Sequence, residues 1–214
     1  KDQCAKYHLN ILGGDTVCTE GPMVWTVTII GDVPKGTAIM RSGAQVGDIV
    51  GITNYVGYAA TGLGALSYNL DGYHMTKVGH QRPDPQIELG QQLRQLGIHS
   101  MNDISDGLGS ELNEIASASN VSIVIEEKAI PLHEETYELA KYLQTNPVDY
   151  ALYGGEDFQL VFTAPKSLLS KLENLAGITI IGEVVSGPAQ VQMVTPDKTI
   201  KTIEAKGYNH FHES

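Results

Sequence analysis

Apolar positions along this chain recur with two different periods, and those periods divide it into strands and helices. Residues 23–30, Met23-Val24-Trp25-Thr26-Val27-Thr28-Ile29-Ile30, are so rich in β-branched and aromatic side chains that they predict a strand. Gly31, Pro34 and Gly36 punctuate its end and mark the best candidate domain boundary. A second strand is expected over 48–53, followed by a Gly/Ala-rich helix over 58–70 whose small side chains permit close packing. After Pro83 and Pro85, the stripe Ile87, Leu89, Leu93, Leu96 predicts a helix over 86–96. Residues 99–104 read as a short strand, and Leu108, Leu112, Ile115 and Ala116 line one face of a helix ending near Asn120. Further strands are expected over 121–125, 158–163, 178–184 and 191–194, with helices over 134–143 and 166–175. Residues 1–9 read as the end of a helix. The alternation lacks the strict rhythm of a doubly wound sheet, so the expected class is a layered α+β domain.

Composition narrows the function classes. The 214 residues suffice for a sizeable core, and 42% hydrophobic with 18% charged residues is ordinary for a globular protein. Net charge is −11, from 14 basic and 25 acidic residues, with no Lys/Arg cluster, which argues against nucleic acid as a partner. An acidic chain that binds phosphates needs metal ions to offset repulsion. The longest apolar run, 23–30, is far short of a membrane span, so no membrane association is expected. Cys4 and Cys18 form neither a disulfide framework nor a zinc pattern, which suggests reduced cysteines and a cytoplasmic location.

The densest chemistry lies in Asp103-Ile104-Ser105-Asp106-Gly107, at a predicted strand-to-helix turn. Two carboxylates and a hydroxyl suit a hard cation such as Mg²⁺, which commonly bridges one or two carboxylates to nucleotide phosphates. A helix N-terminus also favours a phosphate. The same residues would serve equally as plain helix caps. Gly13-Gly14-Asp15-Thr16 and Gly154-Gly155-Glu156-Asp157 share a grammar of glycines before acids, and either is compatible with an ordinary turn. Arg41-Ser42-Gly43-Ala44 offers a guanidinium matched to phosphate oxygens, and Lys206-Gly207-Tyr208 ends the chain with an aromatic ring. No P-loop, dinucleotide fingerprint, protein-kinase set or serine-hydrolase elbow occurs.

In their order, these motifs, together with Arg82-Pro83-Asp84-Pro85, resemble the thiamine-monophosphate kinase family along essentially the whole chain. Single motifs are shared with aminoimidazole ribonucleotide synthetase, selenophosphate synthetase and a hydrogenase maturation factor. The resemblance implies the layered C-terminal domain of the aminoimidazole ribonucleotide synthetase-like fold over 37–214, with 1–36 the tail of an ATP-binding α/β domain. It implies direct in-line transfer of the ATP γ-phosphoryl group to thiamine monophosphate, with several Mg²⁺ ions. By the same resemblance Asp15, Asp103 and Asp106 are metal ligands. Gly14, Asp15, Arg41 and Ser105 contact ATP, and Glu156 and Tyr208 hold the thiamine moiety. No residue acts as a general base. The family's N-terminal stretch is expected to carry further metal-binding aspartates and the contact of a homodimer, so residues 1–214 alone are expected to be inactive. A related ATP-dependent synthetase and a non-catalytic maturation or binding module are the alternative readings.

Two positions depart from the family pattern. Thr53-Asn54-Tyr55-Val56-Gly57-Tyr58-Ala59-Ala60 replaces the usual Thr-Gly-x-x-Gly-x-Ser pattern, with Tyr58 bulkier than expected, and Gln86 stands where an arginine is common.

Overall fold

The computed structural model describes residues 2–206, which divide between Val33 and Pro34 into two units. In the first, α1 (Asp2–Lys6) fits the expected helix end. The strand expected over 23–30 does not form. Propensity makes a segment fit a sheet, but a strand exists only through a hydrogen-bonded neighbour. Among the described residues none pairs with it, and Trp25 is 82% exposed.

The second unit is built on one sheet. In chain order its elements are β1 (Asp48–Thr53), α2 (Tyr58–Ser67), α3 (His74–Gln81), α4 (Ile87–Leu96), β2 (Ser100–Ile104), α5 (Leu108–Ser119), β3 (Ser122–Glu126), α6 (Glu134–Leu143), α7 (Pro147–Tyr153), β4 (Gln159–Pro165), α8 (Leu169–Glu173), β5 (Ile178–Val185), β6 (Gln190–Val194) and β7 (Ile200–Ile203). The strand order is β2-β4-β1-β5-β3-β6-β7, antiparallel throughout except for the β3–β6 pair. The mixed sheet and its helices make the domain α+β, as its sequence pattern implies.

Both faces of the sheet are covered. On one, Val50, Ile52, Ile104 and Val161 pack with Leu108, Leu112 and Ile115 of α5 and with Val148, Ala151 and Leu152 of α7. On the other, Ile49, Phe162 and Ala164 meet Leu93 of α4 and Leu172 of α8. This explains why β1 reads Asp-Ile-Val-Gly-Ile-Thr without polar alternation: all six of its residues are buried.

Helices α3 and α7 and strand β7 go beyond the elements the pattern predicts. The start of α7 carries a recognisable signal, with Asn146 accepting from the Val148 N–H and Pro147 at the first turn. The start of α3 carries none: Tyr73 is its N-cap and makes no side-chain cap. Its cap comes from α6, where Glu135 accepts from the N–H groups of Met75 (3.2 Å) and Thr76 (2.8 Å) and from the Thr76 hydroxyl (2.7 Å). Burial works against the charged form of Glu135, but these bonds win and hold its carboxyl below the usual range.

The two departures from the family pattern meet in space. Asn54 sits at φ 44°, a left-handed conformation that asparagine tolerates better than most residues, where the family pattern has glycine. Its amide donates to Gln86 Oε1 and to Gln159 Oε1, both at 3.0 Å. Asn54→Ala is expected to destabilise the fold by about 1–2 kcal/mol, through lost bonds plus backbone strain. Urea unfolding checks this. Asn54→Gly, which relieves the strain but not the lost bonds, should fall between wild type and alanine.

Candidate active site

Strand β2 delivers its residues alternately to two faces, so Asn102 is buried while Asp103 is exposed. Ile104, fully buried, anchors the end of the strand before the chain turns through Ser105, Asp106 and Gly107 into α5. Gly107 has φ 95°, and a Cβ there would lie 2.7 Å from the Leu152 carbonyl oxygen, so glycine is required. It is also the N-cap of α5, which has no side-chain cap. Ser105 and Asp106 therefore do not cap the helix, and the capping explanation of these residues fails. Their polar groups are engaged elsewhere: the Ser105 hydroxyl (3.3 Å) and the Asp106 N–H (3.2 Å) both donate to Glu111 Oε1.

The segment Gly154-Gly155-Glu156-Asp157 links α7 to β4 and packs backbone to backbone on this turn. The Glu156 N–H donates to the Ser105 carbonyl at 2.8 Å, and the Phe158 N–H to that of Ile104 at 2.9 Å. A Cβ on Gly155 would lie 2.5 Å from the Ser105 carbonyl oxygen. That glycine thus serves the approach of two chain segments. Glu156 is left exposed in a left-handed conformation (φ 71°) beside Ser105. Asp157 points the other way, is 4% exposed, and accepts from the N–H groups of Gly57 (2.6 Å) and Ala59 (2.8 Å) at the start of α2. Burial pushes its carboxyl up to about 6 against the pull of those bonds.

Arg41 is held by the strand before the turn and the helix after it. Its Nε donates to Asn102 Oδ1 at 3.0 Å, and its Nη1 pairs with Glu114 Oε2 at 2.8 Å. Beside it runs an open trough of about 520 Å³ lined by Met40, Met101, Ala118, Arg41 and Asn102. The Nζ of Lys206 lies 5.7 Å from the centre of the Tyr153 ring, the residue before Gly154. Asp103, Ser105, Asp106, Arg41 and Glu156 are thus gathered by one end of β2 and its neighbours.

Asp15 and Gly14 belong to the first unit, where Asp15 Oδ1 accepts from the Thr16 N–H at 2.8 Å and Gly14 stands in open space. Tyr208 lies outside the described residues. Among the described residues no three His, Cys, Asp or Glu side chains form a metal cage. Asp103 and Asp106 nevertheless fit Mg²⁺: their exposed carboxylates take no hydrogen bond or ion pair among the described residues, and Mg²⁺ in phosphate sites uses one or two carboxylates rather than a full cage. No described helix is long and apolar enough to cross a membrane.

Sequence reading missed Glu111 and Asn102. Glu111 is 3% exposed, and its carboxylate also accepts from Asn102 Nδ2. Burial, together with Glu114, Asp103 and Asp106 nearby, pushes its carboxyl upward against the Asp106 N–H bond. A signal was present: Glu111 falls three residues after Leu108, on the apolar stripe of α5, where a carboxylate needs a reason.

A mixed sheet covered on both faces, with an acidic strand-to-helix turn faced by an arginine, defines the class. Residues 46–194 match the family described as AIR synthase related protein, C-terminal domain, and the chain belongs to that family. Its relatives sharpen the likeness. The thiamine-monophosphate kinase of Bacillus subtilis is 38% identical over 216 residues, covering 96% of this chain and 65% of the relative. The chain thus spans just under two thirds of that relative's length. The structure of thiamine-monophosphate kinase from Stenotrophomonas maltophilia is 30% identical, with a TM-score of 0.70 over 75% of this chain and 54% of that one. A structure described as AaThiL complexed with AMPPCP and TMP is 33% identical, with a TM-score of 0.70 over 81% of this chain and 54% of that one.

Proposed function

We propose that the protein phosphorylates thiamine monophosphate to thiamine diphosphate, taking the γ-phosphoryl group of ATP by direct in-line transfer. The observation that carries this reading is the seating of Glu156 against Ser105, which puts an exposed acid for the acceptor beside the carboxylates for phosphate-bound metal. The likeness to thiamine-monophosphate kinases, one of them described with AMPPCP and TMP, supports it.

Asp103 and Asp106 would hold Mg²⁺ in this reading, and the metal would supply positive charge against the repulsion of two polyanions. Arg41 and Ser105 bind nucleotide phosphate oxygens. The trough of Met40, Met101 and Ala118 next to Arg41 suits an apolar planar base. Glu156 accepts from the aminopyrimidine of the acceptor, and Tyr208 packs on its ring. A phosphate acceptor is already nucleophilic, so the residues supply alignment and charge and no general base.

The test is titration of the protein, expressed from its complete gene, with thiamine monophosphate and MgATP, followed by product identification. Thiamine diphosphate is expected. ATP turnover indifferent to thiamine monophosphate would refute the reading. Glu156→Gln is expected to raise KM for thiamine monophosphate about 10-fold while leaving KM for ATP nearly unchanged. Equal effects on both would remove Glu156 from the acceptor site.

A further inference from the structure

We propose that Glu111 is a positioning residue that ties the Asp103–Asp106 turn and the Arg41 side chain into one pre-set unit for MgATP. This rests on the kinase reading above. Glu111 sits in the first turn of α5, and both its oxygens are committed to neighbours. Oε1 accepts from the Asp106 N–H (3.2 Å) and the Ser105 hydroxyl (3.3 Å), and Oε2 from Asn102 Nδ2. One buried side chain therefore grips β2 at Asn102 and the loop that follows the strand. Asn102 carries the link onward, because its Oδ1 accepts from Arg41 Nε at 3.0 Å. The remaining hold on Arg41 is its pair with Glu114, both partners about half exposed, and such a pair orients a guanidinium weakly by itself.

The arrangement is costly for stability alone. Asp103, Asp106 and Glu114 all act on Glu111 as like charges, and Glu111 is itself withdrawn from water. None of its side-chain bonds is needed to start α5, whose first-turn amides of Ser110 and Glu111 already bond to the Gly107 carbonyl. What the carboxylate does achieve is to draw the turn's hydroxyl and amide inward while Asp103 and Asp106 stay exposed with unengaged oxygens. A carboxylate that orients ligands without touching the ligand's metal is the usual form of such support. Arg41 and Glu111 share no contact: Asn102 bonds to both, and Glu114, which pairs with Arg41, also accepts from Asn102 Nδ2 at 3.3 Å.

The test uses the protein expressed from its complete gene, with calorimetric titration of MgATP and thermal unfolding of wild type, Glu111→Gln, Asn102→Ala, Arg41→Ala and the two doubles containing Arg41→Ala. Glu111→Gln is expected to weaken MgATP about 10-fold and to raise the Mg²⁺ concentration giving half-maximal nucleotide binding. Combined with Arg41→Ala, it should add little to the loss from Arg41→Ala alone, and Asn102→Ala should behave the same way. A merely structural role would lower the melting temperature and give additive losses. Additive losses, or a Glu111→Gln protein that binds MgATP like wild type, would overturn the inference and leave the kinase reading standing. Should Glu111→Gln fail to fold, the Asn102→Ala cycle decides by the same criterion. Wild-type protein that binds no MgATP would overturn the kinase reading, and this inference with it.

Discussion

Replacing Asp103 with asparagine is expected to lower turnover with MgATP and thiamine monophosphate about 100-fold, with the protein still folded. Asp103 is exposed at the end of β2, and its place in the ladder is held by backbone pairing with Leu160, which asparagine keeps. Its side chain takes no bond among the described residues, so the fold loses little. A neutral amide, however, is a far poorer ligand for a hard cation than a carboxylate. The loss should be largest at limiting Mg²⁺ and partly recovered as Mg²⁺ rises, which an initial-rate titration with Mg²⁺ would read. Unchanged activity at limiting Mg²⁺ would remove Asp103 from the ligand set. Because Asp106 stands beside it on the same turn, the double variant Asp103→Asn/Asp106→Asn should show little recovery at any Mg²⁺ concentration.

The second large effect concerns stability. Asp157→Ala is expected to cost about 3 kcal/mol at pH 5, because it strips buried N–H groups at the start of α2 of their acceptor. Gly57, the N-cap of α2, makes no side-chain cap of its own, so nothing local replaces the lost carboxylate. The cost should depend on pH in a defined direction. In the folded protein the carboxyl lies at about 6, against 3.8 as its ordinary value. Between those values the folded state keeps a proton that the unfolded chain has released, so Asp157 contributes most stability at low pH and loses it as pH rises through about 6. The gap between wild type and Asp157→Ala should therefore shrink by about 1 kcal/mol between pH 5 and pH 7. Urea unfolding at the two pH values measures it, and a gap that widens would show that the carboxyl is held below its ordinary value. Glu135 has the opposite sign, since its lowered carboxyl adds stability above its ordinary value that is lost as pH falls. A Glu135→Gln background therefore separates the two contributions.

Both caps show where local sequence stops being informative. Helices α4 and α5 and strands β1 and β2 are legible because their signals lie within one turn or one strand of the residues concerned: the stripe Ile87, Leu89, Leu93, Leu96, the stripe Leu108, Leu112, Ile115, and the apolar run of β1. Helix α3 is not, because its capping carboxylate, Glu135, is 59 residues away. The opposite error arises at residues 23–30, where β-branched and aromatic side chains supply every local preference for a strand but pairing is a non-local event.

The same division runs through the site. By itself the sequence determined the α+β class, the acidic turn Asp103-Ser105-Asp106 and the segment ending in Glu156, since each motif is contiguous and its chemistry follows from residue type. Only the tertiary structure decided that the two segments share backbone hydrogen bonds, that Gly155 is small for the sake of the Ser105 carbonyl, and that Asp157 faces a helix while Glu156 faces solvent. It also decided the path from Arg41 through Asn102 to Glu111. These are contacts between residues far apart along the chain, and their energies depend on burial and on which donors meet which acceptors. Neither quantity exists until the sheet has brought β2, β4 and α5 together.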